Sequence, residues 1–491
     1  MKKEESNGLD RHLNLLTLTA TGICSMVGAS IYVVPIMIQK NVPGIGPYVL
    51  VAFLMAAVPA LFAALSYAAL ASAMPRAGGS YIYASRSLHP YVGFVASFSQ
   101  WFGLSLVIGV VAFVTIPFFR DFFNALGFLE LGTFLAIPYV RLFLALAILG
   151  FFTFTNIKGG VFYTNTLIPL MFLMFILGGI VIFFGFYYDN TDFAKALLDK
   201  TGQPLSEKPV LAFSWQTLFT GASILFASFI GFDSIAQAGG EAKNPYQNLP
   251  KAIILAVLLV GLYYFVFSAA VYHSIPWWYI AEEAKQKDLT APGLFSTLLH
   301  PFWSAIILAG AAIALLNDLP GMILSVSRLV FAWAKDGIIN PVFAKVNQTT
   351  KTPQSAILFS SFISALGILG CHFAGDIFLG IDIMVTSMLV NFILICLSVV
   401  FLPLKNKMLS ANMLGHKFPK IRTLLALLGV LLLFTLLVFH TIKDLNSSLS
   451  HWYFKATWVW LIVMTMGSVW FCLFWLKNKN GKSHFEELPE G

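Results

Sequence analysis

The first long apolar stretch of the chain has small residues where a membrane-spanning helix would reach mid-depth. It reads TATGICSMVGASIYVVP at residues 19–35, with Gly28, Ala29 and Ser30 at its centre. A second apolar stretch, GASILFASFIGFDSIAQAGGEAKNP at residues 221–245, has a glycine shortly before an acid. In lipid, backbone groups that leave helical geometry are tolerated only where they line a protein cavity. The two stretches therefore predict a pair of broken helices around an internal site, although glycines also permit close helix packing.

The composition predicts that most of the chain lies in lipid. Of its 491 residues, 58% are hydrophobic and 11% are charged, against about 25% charged in an ordinary soluble domain. The net charge is +8, but the basic residues are scattered among apolar runs, so no nucleic-acid partner is expected. The four cysteines lack CxxC or CxxH spacing, and neither a cofactor nor a metal site is expected.

Apolar runs long enough to cross a hydrocarbon core about 30 Å thick, which needs roughly 20 helical residues, define the predicted fold. Twelve such runs cover approximately residues 13–39, 46–72, 91–118, 134–155, 160–187, 211–240, 250–273, 301–333, 354–374, 377–403, 421–441 and 455–477. The prediction is an all-α integral membrane protein with twelve transmembrane helices.

The breaks fall in the first and sixth of these spans. That spacing is typical of two five-helix inverted repeats, each beginning with a discontinuous helix. We therefore expect a ten-helix core over residues 13–403, followed by two accessory helices over residues 404–477. Residues 1–12 and 478–491 would form the terminal tails.

Basic residues are distributed unequally between the two sides of the predicted membrane protein. An even number of spans places both termini on one side, and the loops of that side carry about twice as many Lys and Arg residues as the others. The positive-inside rule then predicts cytoplasmic termini in a cell membrane, inner or plasma. The long external loops near residues 188–210 and 276–300 are expected to hold short surface helices.

The breaks suggest a chemistry. Amides freed at the start of a half-helix attract a carboxylate, whereas carbonyls freed at the end of another attract an ammonium group. An α-amino acid carries both groups. We expect its carboxylate near Gly28, Ala29 and Ser30, and its amine near the carbonyls of Met26 and residues 227–230.

Four motifs resemble those of the amino acid, polyamine and organocation transporter superfamily, and they occur in that family's order. They are GASIY at residues 28–32 followed by Pro35, MPRAGGSYIY at residues 74–83, FIGFD with EAKNPYQNLP at residues 229–233 and 241–250, and SRLVFAWAKDG at residues 327–337. The last four spans resemble the family only in hydropathy.

The resemblance implies a LeuT-like fold and secondary transport of amino acids or related amines by alternating access. Carried over position by position, the substrate pocket would use side chains of the first, third, sixth and eighth spans. These are Met26, Ala29, Ser30, Ser99, Gln100, Leu104, Ala227, Ser228, Ile230 and Met322. Some members place a large aromatic gate where Ala227 stands, so side-chain selectivity does not carry over.

Three acids lie in the apolar spans. Their positions require a functional or structural explanation, because a carboxylate at mid-membrane costs at least ~2.5–3.5 kcal/mol on insertion scales. Asp233 occupies a position where relatives carry an acid linked to proton movement or gating, although it could instead cap a half-helix. Asp318, close to Pro320, could contact a cationic substrate or lie in water at the external end of a tilted helix. Asp382 is expected to be solvated.

The coupling ion is left open by the sequence. Many relatives without sodium dependence use a lysine of the fifth helix, but residues 160–187 contain none. Ser325 and Ser327 are the nearby candidates for sodium ligands. Asn165, Thr166 and Pro169 interrupt the fifth span and could face the core, although Ser and Thr in membrane helices more often bond their own backbone.

Two further candidates complete the predicted machinery. Trp101 has a match in relatives, although a tryptophan in such a chain is more often a packing residue. Residues 241–250 and 328–337, which begin with Glu241 and Arg328, are predicted to lie in cytoplasmic loops. Their charges could pair across the inner mouth and hold it shut, with Arg76 and Arg86 as other partners. The alternative is a set of solvated surface ions.

Several functional alternatives remain beside proton-coupled symport or exchange. A sodium-coupled symporter and an amino-acid sensor built on a transporter scaffold would keep the same pocket. An enzyme is not expected, because no HExxH, GxSxG or P-loop motif is present. A channel would need a filter-like loop or a charged ring. The expected partners are a small-molecule substrate and the lipid bilayer, and the oligomeric state is left open.

Overall fold

The computed structural model describes residues 9–28, 30–286, 289–374, 378–447, 455–477 and 488. Across these residues the chain forms α-helices and short 3-10 segments, with no strand. Twelve spans are long and apolar enough to cross a membrane, which confirms the predicted fold class.

The helices follow one another with short connections. In chain order they are α1 (Leu15–Met26), α2 (Ser30–Asn41), α3 (Val49–Ala73), α4 (Gly79–Ser87), α5 (Pro90–Ala125), α6 (Leu129–Ala136), α7 (Pro138–Lys158), α8 (Gly160–Tyr187), α9 (Asn190–Thr201), α10 (Trp215–Leu225), α11 (Asp233–Gln237), α12 (Pro245–Ser274), α13 (Trp277–Gln286), α14 (Ala291–Phe295), α15 (Pro301–Lys335), α16 (Gln354–Ala374), α17 (Phe378–Lys405), α18 (Lys407–Ser410), α19 (Pro419–Leu445) and α20 (Ala456–Lys477). The pair α1 and α2 forms the first span, and the pair α10 and α11 forms the sixth.

Local sequence sets where several spans begin. The Asn14 side chain accepts a hydrogen bond from the Thr17 amide at 2.9 Å and thereby caps α1. Proline occupies the first turn of α5, α12 and α15, where a missing N–H is harmless and the fixed φ suits a helix. Pro117 lies inside α5 without ending it, so the third span reaches Ala125 rather than the predicted residue 118.

The long helix α15 runs through the middle of the bundle. It packs against α5, α8, α1, α16 and α11, so both broken spans contact it. The first, sixth and eighth spans are the most enclosed of the twelve, whereas α20 is the least enclosed. The functional elements therefore lie at the centre, and the last spans lie at the periphery.

The two last helices are fastened to the core by polar contacts. The Trp460 indole donates to the Ser99 hydroxyl at 2.8 Å, and the Tyr91 hydroxyl donates to Ser468 at 2.8 Å. The Asp444 carboxylate at the end of α19 accepts the first amides of α20, including that of Thr457 at 2.8 Å. The first two contacts hold α20 against α5, and the Asp444 contacts join α20 to α19.

The connections also form helices. The expected surface helices of the long loops are present as α9 and α13. The Asp189 side chain starts α9 by accepting the Thr191 and Asp192 amides. The sequence did not predict helix α4, because its residues do not form a long apolar run. They are nevertheless buried, because neighbouring spans cover them.

Candidate functional site

Both predicted breaks are present. Helix α1 ends at Met26, and Val27 leaves helical geometry at φ −94° and ψ 85° before α2 begins at Ser30. In the sixth span, α10 ends at Leu225 and a 3-10 segment covers Phe226–Phe229. Ile230 is then extended at φ −77° and ψ 130°. Ala29, a predicted pocket residue, lies outside the described residues.

The two breaks contact each other. Gly231 has φ 136°, a conformation that side chains rarely adopt. A β-carbon added there would lie against the Ser25 carbonyl and 2.9 Å from the Met26 nitrogen. Glycine at this position lets the backbone of the sixth span lie against the end of α1.

Some of the polar groups at the breaks already have hydrogen-bond partners within the protein, and others do not. The Met26 carbonyl, an expected partner of a substrate amine, accepts the Tyr264 hydroxyl at 2.8 Å. The Ala227 carbonyl accepts the Ile230 amide at 3.2 Å. The buried Ser228 hydroxyl has no hydrogen-bond partner in the described part of the chain.

Asp318 lies at the first break. It is 6% exposed at the middle of α15, which excludes the solvated alternative. A β-carbon at Gly28 would lie 2.7 Å from the Asp318 Cγ, so the carboxylate lies directly against this glycine. Its Oδ1 atom has no hydrogen-bond partner among the residues that the structure describes.

Asp233 lies in a buried polar network and not in water. The Gln100 side-chain amide donates to its Oδ2 atom, and both residues are fully buried. The Gln100 carbonyl oxygen in turn accepts from Gln237 and from Asn391, each at 3.3 Å. Gln100, predicted to bind substrate, therefore has both ends of its amide engaged within the protein.

The network continues away from Asp233. Asn391 donates to the Tyr67 hydroxyl at 2.8 Å, and that hydroxyl lies 2.6 Å from the Ser80 hydroxyl. Gln237 donates to Ser80 at 2.7 Å. The sequence reasoning missed these partners, although Ser80 belongs to the MPRAGGSYIY motif and Asn391 is an amide inside the apolar tenth span.

Two predicted residues of the third span contact other parts of the bundle. The Ser99 hydroxyl donates to the Ser387 carbonyl at 3.2 Å and accepts from the accessory helix α20. The Trp101 indole donates to Ser360 at 3.2 Å and stacks on Phe359 with ring centroids 5.5 Å apart. These contacts indicate that Ser99 and Trp101 pack neighbouring spans against the third span. The remaining apolar candidates, Met26, Leu104, Ile230 and Met322, are buried.

A buried ion pair closes one end of the bundle. Arg328 Nε lies 2.6 Å from Glu241 Oε1, and both side chains are almost completely buried, which excludes the solvated alternative. Arg328 is part of α15 and not of a loop. The Glu241 carbonyl also accepts the Leu13 amide at 2.9 Å, and the Lys243 amide donates back to Leu13 at 2.8 Å. The start of α1 is thereby tied to the same closed end.

A second pair strengthens this closure and joins Arg86 to an acid of the 328–337 segment. Arg86 Nη1 lies 2.5 Å from Asp336 Oδ2, and the Tyr81 hydroxyl donates to the same oxygen at 2.6 Å. Burial by itself would lower the pKa of the Arg86 guanidinium, but hydrogen bonding and the charge of Asp336 more than offset this and raise that pKa. The Arg86 guanidinium therefore remains protonated at physiological pH.

A cavity lies at the other end of the broken helices. It has a volume of about 330 Å³ and is lined by Val33, Val34, Met37, Asn41, Ile224, Ala227, Ile381, Asp382, Val385, His440, Lys443, Asp444 and Ser447. Helix α2 runs into it from the first break, whereas α1 leads to the ion pairs. Asp382 was expected to be solvated and is half-buried on the cavity wall. Ala227 is the predicted pocket residue that lines this cavity.

Facing the core was the wrong expectation for Asn165 and Pro169, whereas Thr166 follows the stated alternative. Asn165 and Pro169 are exposed on the outside of the bundle, and the Thr166 hydroxyl bonds its own backbone at Phe162. The core-facing polar group is the Tyr163 hydroxyl, 3.1 Å from the Thr21 hydroxyl on α1. Asn165 and Pro169 lie on the outer face of the helix. An apolar run has too little periodicity to show which face points outward.

The two serine candidates of α15 differ. Ser327 donates to the Leu324 carbonyl at 2.8 Å and accepts from Arg328 at 2.9 Å. The Ser325 hydroxyl is buried, and the described residues offer it no hydrogen-bond partner. Ser325 is therefore the better placed of the two to bind a cation.

Twelve apolar spans with two interrupted helices in contact around buried polar groups define a membrane carrier. The family model described as "Amino acid permease" matches residues 13–468, and the chain belongs to this family. It is part of the amino acid, polyamine and organocation superfamily, whose members of this kind are transporters and not enzymes.

Named relatives are similar over most of the chain. The branched-chain amino acid permease BcaP of Bacillus subtilis is 26% identical over 369 residues, which cover 73% of this chain and 74% of the relative. Cationic amino acid transporter 4 of Mus musculus is 29% identical over 379 residues, 74% of this chain. The vacuolar cationic amino acid transporter 4 of Arabidopsis thaliana is 24% identical. The matches span 56% of the mouse relative and 60% of the plant relative.

Proposed function

We propose that this chain is a secondary transporter that moves amino acids or related amines by alternating access, as a proton-coupled symporter or an exchanger. The observation that carries the proposal is the contact between the two interrupted spans at Gly231 and Ser25. Helix ends that meet inside a bilayer present peptide dipoles to a small charged ligand. The substrate names of the relatives, branched-chain and cationic amino acids, support this class of ligand.

The arrangement of the ends supports alternating access. The end at Glu241 and Arg328 is closed by buried ion pairs, whereas the opposite end holds the cavity that reaches Ala227. A cycle would open the ion-paired end and close the cavity. Rocking of the two broken spans against α15 and α5 would accomplish both changes.

The proposed organisation follows the two breaks. Residues 13–403 form the ten-helix core of two five-helix repeats, residues 404–477 supply the accessory helices, and residues 1–12 and 478–491 are the tails. We propose that the protein lies in the inner or plasma membrane of the cell and that both of its termini are cytoplasmic. The unequal distribution of Lys and Arg supports this orientation, in which the ion-paired end faces inward.

Asp233 is the proposed coupling residue. The carboxylate is buried in the first turn of α11; one oxygen accepts the Gln100 amide, and the other has no hydrogen-bond partner among the described residues, which leaves it free to take up a proton. Movement of the sixth span relative to α5 would change its contact with Gln100. Sodium coupling is the alternative, and the unpartnered Ser325 hydroxyl is the observation in its favour.

Uptake into proteoliposomes tests the function. Labelled amino acids and amines would be offered with and without a proton gradient, sodium and preloaded substrate. We expect saturable uptake that is accelerated by an inward proton gradient or by internal substrate. Ligand binding without flux would instead identify a sensor, and strict sodium dependence would contradict the proton and exchange proposals.

The role of Asp233 is tested in the same vesicles. If it carries the coupled proton, Asp233→Asn should retain substrate exchange and lose acceleration by the proton gradient. Asp199→Asn, the same change at an exposed position on α9, is the matched control and should behave as the unmodified protein. Gradient-driven accumulation by Asp233→Asn would remove Asp233 from the mechanism.

A further inference from the structure

The buried carboxylate of Asp318 lacks a compensating charge in the described part of the protein. Among the ion pairs of these residues, Arg328 is matched by Glu241 and Arg86 by Asp336, and none includes Asp318. An ionised carboxylate without a partner in such a place costs several kcal/mol. The described residues at this site therefore carry one uncompensated negative charge whenever Asp318 is ionised.

Asp318 faces α1 as well as the break. Gly321 lies one helical turn after Asp318, and a β-carbon at Gly321 would contact the Ser25 hydroxyl. Ser25 lies in the last turn of α1, three residues before Gly28, and Gly28 itself contacts Asp318. Asp318 and Ser25 thus belong to facing surfaces of α15 and the first span. A ligand at the break would meet both.

Three unsatisfied oxygen atoms belong to residues where α15 faces the first span. The Ser25 hydroxyl, the Asn317 Oδ1 atom and the Asp318 Oδ1 atom are buried, and no described residue hydrogen-bonds them. Buried polar atoms in native proteins usually have partners. An ammonium group has three donors and no acceptor, which complements a cluster of oxygen atoms.

We propose that Asp318 makes this a site for substrates with one net positive charge, whose ammonium group binds the Asp318 carboxylate beside Gly28. This inference rests on the proposed transport function and narrows its substrate class. A zwitterionic amino acid would leave the occupied site negative, and its own carboxylate would be repelled if it approached Gly28. A cationic amino acid or a monoamine would leave the site neutral.

The amides of the first break fit the same assignment. In the expectation from sequence, the region of Gly28 receives the carboxylate of the substrate. The protein already supplies a carboxylate there, from α15. Asp318 thus takes the place next to the start of α2 that a substrate carboxylate would otherwise occupy, where helix-terminal amides favour negative charge.

Lysine and norleucine provide a matched pair of probes, because they differ chiefly by the side-chain ammonium group. Binding to the purified full-length protein in nanodiscs would be measured by calorimetry, and uptake would be measured in proteoliposomes. We expect lysine to bind about tenfold or more tightly than norleucine. In Asp318→Asn, the ratio of the two affinities should fall close to one, whereas Asp199→Asn should keep the unmodified ratio.

Two further readouts keep the test decisive. Asp318→Glu, which retains the charge, should preserve a preference for lysine even if affinity falls. If Asp318→Asn does not fold, as judged by gel filtration and thermal melting, the ratio in the unmodified protein decides the matter. Equal or stronger binding of norleucine there, or an unchanged ratio in a folded Asp318→Asn, would overturn the inference. Transport of norleucine alone would overturn it and leave the proposed function standing, whereas absence of all uptake would overturn the function itself.

Discussion

Two glycines position the backbones at the centre of this protein. Gly231 lies against the carbonyl end of α1, and Gly28 lies against the Asp318 carboxylate. Neither position has room for a side chain, so the approach of three spans depends on the absence of a β-carbon. At Gly231 the positive φ adds a second requirement for glycine.

Gly231→Ala should uncouple the two breaks. The added β-carbon would collide with the Ser25 carbonyl in a conformation that alanine disfavours, so we expect a loss of about 1–3 kcal/mol in stability and loss of uptake. Thermal melting in detergent and proteoliposome uptake would measure both effects.

The control is Gly127→Ala. Gly127 also has a positive φ, of 87°, but an added β-carbon there meets no atom within 4 Å. This variant should keep its uptake. Full activity of Gly231→Ala would show that the contact between the breaks is not needed.

The acids illustrate what could be predicted at this scale. Asp233 and Asp318 were recognisable as functional candidates because charged side chains are expensive inside a membrane. Their surroundings were not predictable, because Gln100 is 133 positions from Asp233 and Asn391 is 291 positions from Gln100. The contact of Asp318 with Gly28 likewise depends on how α15 crosses the first span.

At the scale of the elements, the closed end is a junction of α1, α4, α11 and α15. Main-chain hydrogen bonds join Leu13 to Glu241 and Lys243, and the Gly78 amide donates to the Gln237 carbonyl at 3.1 Å. The two buried ion pairs add charge-assisted bonds to this junction. Opening it requires that the pairs separate together with the backbone contacts.

Glu241→Gln should favour the open state of this end. Loss of the negative charge leaves the buried Arg328 uncompensated, which costs about 3–5 kcal/mol in the closed state. A cysteine introduced at the buried position Ala238, with Cys472 replaced by serine, would report opening through its labelling by a maleimide. We expect labelling to be about tenfold faster or more in Glu241→Gln.

The exposed pair of Glu282 and Lys285 supplies the control. Its atoms are 2.7 Å apart, but both side chains are more than half exposed, so Glu282→Gln should leave labelling unchanged. Equal labelling in Glu241→Gln and the unmodified protein would remove the gate from the account.

The elements themselves were largely predictable. Hydropathy over the length of a bilayer gave the number of spans and most of their limits, because lipid imposes both. The short helices α4 and α11 were less accessible to this reasoning. Their residues are buried by neighbouring spans, as for Ser80 and Gln237, and their own sequences are not long apolar runs.

At the scale of the whole molecule, the two ends of the bundle differ. One end is held by buried ion pairs, and the other holds a cavity to which the accessory helix α19 contributes His440, Lys443 and Asp444. The broken spans lie between these ends, and their halves α1 and α11 contact α15. Such an asymmetry is what a carrier with one closed gate requires. The part played by α19 was not predicted, because the motifs recognised in the sequence end at residue 337.

The central claim is that the substrate binds where the first and sixth spans are interrupted. A structure of the protein bound to a transported substrate tests this claim most directly. We expect ligand density in contact with the backbone at Gly28 and Ile230, with both spans still broken. Ligand found only in the cavity beside α19, or spans that close into continuous helices around an empty centre, would contradict it.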